Sequence, residues 1–313
     1  MVSPNGSAVI IAYNRPIELL TSLTAIKESD RSNLNQLIIV LQRGNERVEQ
    51  ICKEIDWIEP TILISDAASG SPMSRINMNV YKGLDYAFSI QENQWVAIIE
   101  DDIVIAKDFF CFASYVVSKY REDKEFFGFN GFSGIKRSDA SAGDYGKYRY
   151  GLGWGWVITK SSWERLGRIW TGEENTHWDV HVEHFVKSGF VIMPMQSRIL
   201  NIGFNERATN TKKEPGKISS QEIRLNNSFV GELYSGDYHE SFRDLEWRND
   251  CRQYLQRPRM LALAINLLYK LNATIQLHVK SSVNSTKVGG KAYQITDHLI
   301  RVLYLLAKLR RLN

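Results

Sequence analysis

The stretch Val96-Ala97-Ile98-Ile99-Glu100-Asp101-Asp102-Ile103 decides how this chain is read. A continuous apolar run ends in three consecutive carboxylates. An unbroken short run of this kind suits a strand buried on both faces of a largely parallel sheet. Three acids at the carboxyl end of a strand repel one another. In a low-dielectric crevice that arrangement is costly unless a cation or a hydroxyl-rich ligand occupies the site. The crevice outside strand carboxyl ends is also where open α/β sheets take their ligands. Hard oxygen donors suit Mg²⁺ or Mn²⁺. The stretch therefore points to a metal-bridged phosphate substrate. The plain alternative is a solvated acidic turn.

Working outward, Ser7 to Tyr13 reads as a first buried strand, followed by the turn Asn14-Arg15-Pro16. Pro16 suits the first position of a helix running to about Ile26. Leu37–Leu41, Thr61–Ile64 and Trp95–Ile99 read as further strands, and Glu46–Ile55 and Met73–Ser89 as helices. Ile76, Val80, Leu84 and Ala87 share one face of the longer helix. Apolar strands alternating with helices predict an open, mostly parallel sheet with helices on both faces. Beyond Asp108 a helix is expected to Tyr120, then a strand over Phe126–Phe132 and a Gly/Ser/Asp-rich loop over Ser138–Tyr148. A further helix is expected from Ser161, whose hydroxyl has N-cap chemistry. Thr209–Ser220, with Lys212, Lys213 and Lys217, reads as a mobile loop.

At 313 residues the chain has room for one large α/β domain with an appendage. Its 43% apolar and 24% charged content is that of a soluble globular protein, not a disordered or fibrous one. Cys52, Cys111 and Cys251 are odd in number and lack metal-type spacing, so they read as buried thiols in a reducing compartment. The first residues carry no basic, apolar leader, and no run approaches the roughly 18 apolar residues of a membrane-spanning helix. The net charge of +4 is unevenly spread. From residue 252 onward eleven Lys or Arg face the single acid Asp297, a net of +10, which leaves −6 for the first 251 residues. Ile295–Leu312 is amphipathic, with Ile295, Leu299, Val302, Leu306 and Leu309 on one side. The expected organisation is a catalytic domain over 1–250 and a basic, amphipathic helical extension over 251–313. A basic amphipathic segment suits an anionic membrane surface, here through residues 258–313. It equally suits packing against protein. The expected location is the cytoplasm, at the inner face of the membrane.

Three further clusters bear chemistry. The turn Ala12-Tyr13-Asn14-Arg15-Pro16 can hydrogen-bond a flat base and reach a phosphate. It is also what a helix start with a surface Arg looks like. Gly151-Leu152-Gly153-Trp154 places small residues beside a large ring, which suits a sugar or a core tryptophan. Thr176-His177-Trp178-Asp179-Val180-His181-Val182-Glu183-His184 offers Asp179 as a carboxylate general base, or as an acid at a helix N-terminus. His177 and His181 are spaced for one helix face, but the His-Glu-x-x-His signature of a zinc site is missing.

Together these residues resemble a known family. Glu100-Asp101-Asp102-Ile103-x-Ile105-Ala106-x-Asp108-Phe109-Phe110, then Gly151-Leu152-Gly153-Trp154, then Trp163-Glu164-x-Leu166, then Trp178-Asp179, follow the order and approximate spacing found in N-acetylglucosaminyltransferase I. The resemblance covers roughly residues 8–205. It implies a GT-A glycosyltransferase, metal-dependent and inverting. Such an enzyme moves a hexosyl or N-acetylhexosaminyl group from a nucleotide-sugar, in this family a UDP-sugar, to a glycan, and the basic tail suits a lipid-linked glycan as acceptor. It implies that Asp102 ligates Mn²⁺ or Mg²⁺ and that Asp179 deprotonates the acceptor hydroxyl. Ala12, Asn14, Arg15, Arg43, Asn79, Glu100, Asp101, Gly153, Trp154 and Trp178 would line the nucleotide-sugar site. Two departures stand out. Arg43, in Gln42-Arg43-Gly44, takes the place of the family's acidic base-reading residue, and Asp179-Val180 replaces a doubled acid.

Two rival readings belong to other classes. One is a nucleotide-sugar-binding protein of the same fold without turnover, which the intact acid triplet and Asp179 oppose. The other is a nucleotidyltransferase, which commonly carries a Gly-rich loop after the first strand that is missing here. Nucleic acid is not an expected partner, because aromatic residues are sparse in the basic tail.

Overall fold

The computed structural model describes residues 4–65, 71–90, 93–133, 141–148, 154–170, 189–204, 229 and 231–242. The chain divides into two compact units, Met1–Ser241 and Phe242–Asn313. The second lies outside the described residues apart from Phe242, and with it the predicted basic tail.

The first unit alternates strand and helix through its opening half. β1 (Gly6–Ala12), α1 (Pro16–Glu28), β2 (Leu34–Gln42), α2 (Glu46–Lys53), β3 (Thr61–Ser65), α3 (Pro72–Ser89) and β4 (Trp95–Glu100) follow one another. The strands are parallel and lie in the order β3-β2-β1-β4. Every residue of β1 is buried, as an unbroken apolar run requires of a strand covered on both sides. Ala8, Ile10 and Ala12 face Leu19, Leu23 and Ile26 of α1 in one continuous core. α3 covers the opposite face, where a β-carbon on Gly83 would meet Val9 Cγ1 at 2.4 Å and Val40 Cγ2 at 3.1 Å. Only a glycine lets the helix lie this close to the sheet. β3 is an edge strand. Lys82 Nζ donates to its outward Ile64 carbonyl at 2.5 Å, which blunts the edge against pairing with another chain.

After β4 the chain turns through Asp101-Asp102 into β5 (Ile103–Ile105) and α4 (Phe109–Tyr120). β6 (Phe126–Asn130), β7 (Asp144–Tyr148), β8 (Trp156–Thr159), β9 (Phe190–Pro194) and β11 (His239–Phe242) extend the sheet to nine strands, in the order β11-β7-β9-β6-β8-β4-β1-β2-β3. β8 runs antiparallel between β4 and β6, and β7 antiparallel to β9. β10 (Ile199–Asn201) pairs antiparallel with β5 in a separate small sheet. The predicted class, an α/β open and mostly parallel sheet with helices on both faces, is the fold observed, with antiparallel strands confined to the second half.

Two local expectations are corrected. The loop expected over 138–148 ends in strand β7, whose Tyr145 and Tyr148 are fully buried. Its Gly and Asp suggested a turn, but the buried rings and the ladder to β9 outweigh that preference. Helix α5 (Lys160–Leu166) is capped by Thr159, not Ser161: Thr159 Oγ1 accepts from Ser162 N at 3.3 Å. Ser161 already lies inside the first turn. Among the described residues no helix is long and apolar enough to cross a membrane.

Candidate active site

The strand order reverses at β1 and β4. β2 and β3 step outward on one side of β1, and the chain then returns to place β4 on the other. The crevice outside the carboxyl ends of these two strands is the switch point at which open α/β sheets bind ligands. Arg15 follows β1 there, and Glu100-Asp101-Asp102 ends β4, with Ile11 and Glu100 in register. Residues 85 positions apart in sequence therefore share one crevice for topological reasons alone.

Arg15 is the N-cap residue of α1, yet its side chain makes no cap hydrogen bond. Its guanidinium Nη1 donates to Asp102 Oδ2 and lies 3.7 Å from Asp101 Oδ1. The Tyr13 backbone N–H donates to Asp101 Oδ2 at 3.3 Å, and Ser22 Oγ of α1 donates to the Asp101 carbonyl at 3.0 Å. The acid turn thus rests against the first turns of α1, whose dipole favours negative charge. From the other side comes the loop after β10. Ile202 N donates to the Asp102 carbonyl at 2.9 Å, and Gly203 N to Asn201 Oδ1 at 2.8 Å.

Asp101 and Asp102 are 8% and 3% exposed. Burial, with the neighbouring Asp102 carboxylate, raises the Asp101 carboxyl to about 8 against the pull of Arg15. Burial likewise raises Asp102 against the pull of Arg15. Burial works to lower the Arg15 guanidinium, but Asp102, Asp101 and Glu100 together hold it above its ordinary value. One guanidinium faces two buried carboxylates, so ionising both leaves a surplus negative charge. Asp102 Oδ1 is buried and has no hydrogen-bond partner.

These features fit a divalent cation. The free oxygen is a hard donor, the surplus charge is of the right sign, and Mg²⁺-type ions are commonly held by one or two carboxylates together with substrate phosphates. Among the described residues no group of three His, Cys, Asp or Glu is arranged to hold a metal by itself.

Other predicted residues spread around this centre. Ala12 is buried at the end of β1. Asn14 and Arg43 are exposed on the turns after β1 and β2. The Tyr13 ring, 39% exposed, lies beside Gly44 of the second turn. Trp154 is half-buried, with its ring edge-on to Phe132 at 5.3 Å and to Phe204 at 5.9 Å, next to the Gly203 loop. Asn79 stands apart. It is buried on α3 and accepts from Ser65 Oγ at 2.5 Å at the end of β3, two strands from β1 or about 10 Å by strand spacing. Gly153, Trp178 and Asp179, the His177/His181 pair and the Thr209–Ser220 loop lie outside the described residues.

Sequence reading missed Gly203 and Asn201. A β-carbon on Gly203 would fall 1.8 Å from Asp102 Oδ2 and 2.9 Å from Arg15 Nη1. The only signal was a glycine after a short apolar-polar stretch, which does not say what it approaches.

In sequence, 170 residues are 25% identical to the Arabidopsis thaliana alpha-1,3-mannosyl-glycoprotein 2-beta-N-acetylglucosaminyltransferase. The chain resembles N-acetylglucosaminyltransferase I. The match covers 52% of this chain and 38% of that enzyme, so the chain spans well under half the length of its curated relative. Among solved structures, the 1–349 fragment of Staphylococcus aureus TarS superposes with a TM-score of 0.48 at 11% identity, covering 64% of this chain and 61% of the other. A 4-diphosphocytidyl-2C-methyl-D-erythritol synthase from Anaerococcus prevotii gives 0.40 at 13% identity, covering 61% and 86%. No protein-family model matches the chain.

Proposed function

We propose that the chain is a glycosyltransferase. It transfers a hexosyl or N-acetylhexosaminyl group from a UDP-sugar to a hydroxyl of a glycan or lipid-linked glycan, with inversion and with Mn²⁺ or Mg²⁺. The observation that carries this reading is the pair of buried carboxylates at the β1/β4 switch point, matched to one arginine and leaving the buried Asp102 Oδ1 without a partner. The similarity to an N-acetylglucosaminyltransferase supports it.

Asp102, with Asp101 beside it, would hold the ion, which when bound supplies Lewis-acid neutralisation of the departing diphosphate. Arg15 adds a guanidinium fork suited to phosphate oxygens. Tyr13 and Arg43 border the space for the base, and Trp154 that for the sugar. Asp179 takes the proton from the acceptor hydroxyl as that oxygen attacks the anomeric carbon from the face opposite the diphosphate, which inverts the configuration. Such a base contributes roughly 10²- to 10⁴-fold.

The test is binding and turnover of a nucleotide-sugar panel with and without Mn²⁺. Wild type is expected to turn over one UDP-sugar only with metal. Asp102→Ala should lose donor binding, whereas Asp179→Ala should keep it and lose turnover by about 10²- to 10⁴-fold. If wild type with metal binds no nucleotide-sugar, the transferase reading fails.

The tail belongs to the same proposal. Its net +10 and amphipathic spacing suit the surface of an anionic membrane, where a lipid-linked acceptor resides. The full chain is expected to float with anionic liposomes and to be released by salt. Equal flotation with zwitterionic liposomes would sink this part alone.

A further inference from the structure

Asp102 is held by a cation that belongs to the protein itself. Arg15 Nη1 occupies Asp102 Oδ2, while the buried Oδ1 of the same carboxylate has no partner. Asp101 lies 3.7 Å from that guanidinium, beyond hydrogen-bonding distance, so Asp102 is its principal anchor. The Arg15 side chain makes no cap hydrogen bond to α1, so its guanidinium is committed to the acid turn and not to the helix that follows. The pocket is also tight. Gly203 presses so closely on the pair that its missing β-carbon position is 1.8 Å from Asp102 Oδ2. A divalent ion on the same carboxylate would meet a positive guanidinium at ion-pair range, in a low-dielectric setting where like charges repel strongly.

Resting on the transferase reading, we propose that Arg15 is the resident counter-ion of Asp102 in the donor-free protein. It leaves Asp102 when a divalent cation and a nucleoside diphosphate enter, and the freed guanidinium then takes the diphosphate. Arg15 is thus a positioning residue that couples metal binding to donor binding. Metal alone must displace the arginine with no new anion to receive it, so it binds weakly. Metal with diphosphate gives the arginine a phosphate partner, so the two bind with positive cooperativity. By linkage each raises the other's affinity by the same factor.

The experiment measures Mn²⁺ binding to the full chain from the EPR signal of free Mn²⁺, with and without UDP, in wild type, Arg15→Gln and Arg15→Lys. Arg15→Gln is expected to bind Mn²⁺ alone on the order of tenfold more tightly than wild type, and UDP should then enhance Mn²⁺ binding less than it does in wild type. Arg15→Lys keeps the charge but loses the fork, and should lie between the two. If Arg15→Gln fails to fold, Arg15→Lys alone decides, with tighter Mn²⁺ binding expected. Unchanged or weaker Mn²⁺ binding in the variants, with UDP still enhancing it in all three proteins, overturns the counter-ion role and leaves the transferase reading standing. No Mn²⁺ binding by wild type even with UDP overturns both.

Discussion

Gly203 illustrates how a single backbone position sets the chemistry of a site. Its hydrogen atom occupies the space that lets Asp102 and Arg15 meet, because any β-carbon there would overlap a carboxylate oxygen. Gly203→Ala must therefore either push the Asn201–Phe204 loop outward or displace the Asp102 side chain. Overpacking of this kind costs about 1–3 kcal/mol. The expected result is a lower urea midpoint together with weakened UDP binding in the presence of Mn²⁺. A variant with wild-type stability and binding would show that the loop gives way freely. Nothing in the local sequence Ile199-Leu200-Asn201-Ile202-Gly203 announces this role, since the partner side chains come from positions 15 and 102. The acids themselves were legible, because three carboxylates after a buried run demand compensation wherever the fold puts them. That Arg15 supplies part of it was not, because a guanidinium after Asn14 suits a solvated turn equally well.

Among the elements, the small β5–β10 sheet adjoins the acid turn, and a buried ion pair ties the residue before β10 to the N-cap residue of α4. Arg198 and Asp108 are both fully buried, with Arg198 Nε donating to Asp108 Oδ2 at 3.1 Å. Arg198 also donates from Nη1 to the Gln196 carbonyl at 2.9 Å and from Nη2 to that of Ala142, and its guanidinium lies over the Phe112 ring at 5.1 Å. Tyr238 donates its hydroxyl to Asp108 at 3.3 Å. Burial pushes the Asp108 carboxyl up, and Arg198 holds it down. Removing one partner strands a buried charge, so Arg198→Ala is expected to cost about 3–5 kcal/mol by urea denaturation. The double change Arg198→Met with Asp108→Leu should cost much less, and an equal loss in both would show that packing rather than charge dominates. The motif Asp108-Phe109-Phe110 was visible in the sequence, but the helix-start reading of Asp108 gave no hint of a partner 90 residues away. Strand β7 escaped for a related reason: its Gly and Asp speak for a turn, and its place in the sheet between β11 and β9 makes it a strand.

Over the whole molecule, the two described thiols lie in helices that flank the sheet, and both are free. Burial raises Cys52 from the ordinary 9.0 to about 11. It raises Cys111 to about 12, with help from the neighbouring Asp30 carboxylate. A thiol whose folded pKa exceeds its unfolded one holds its proton longer in the native state. Its contribution to stability is therefore present below pH 9 and is lost as pH rises through the folded value. Iodoacetamide labelling at Cys52 and Cys111, mapped by mass spectrometry, is expected to stay slow at pH 9 in the native protein and to become fast on adding urea. Fast native labelling of the buried Cys52 at pH 9 would contradict its burial. The sequence by itself determined the elements of the β1–β4 half and the presence of an acid cluster at a strand end. Apolar periodicity and charge density are local properties that no distant contact reverses there. The tertiary structure alone decided which residues meet: Arg15 on Asp102, Gly203 beneath both, and Arg198 on Asp108. Those pairings follow from strand order and close approach of backbones, and neither is written in any one segment of the chain.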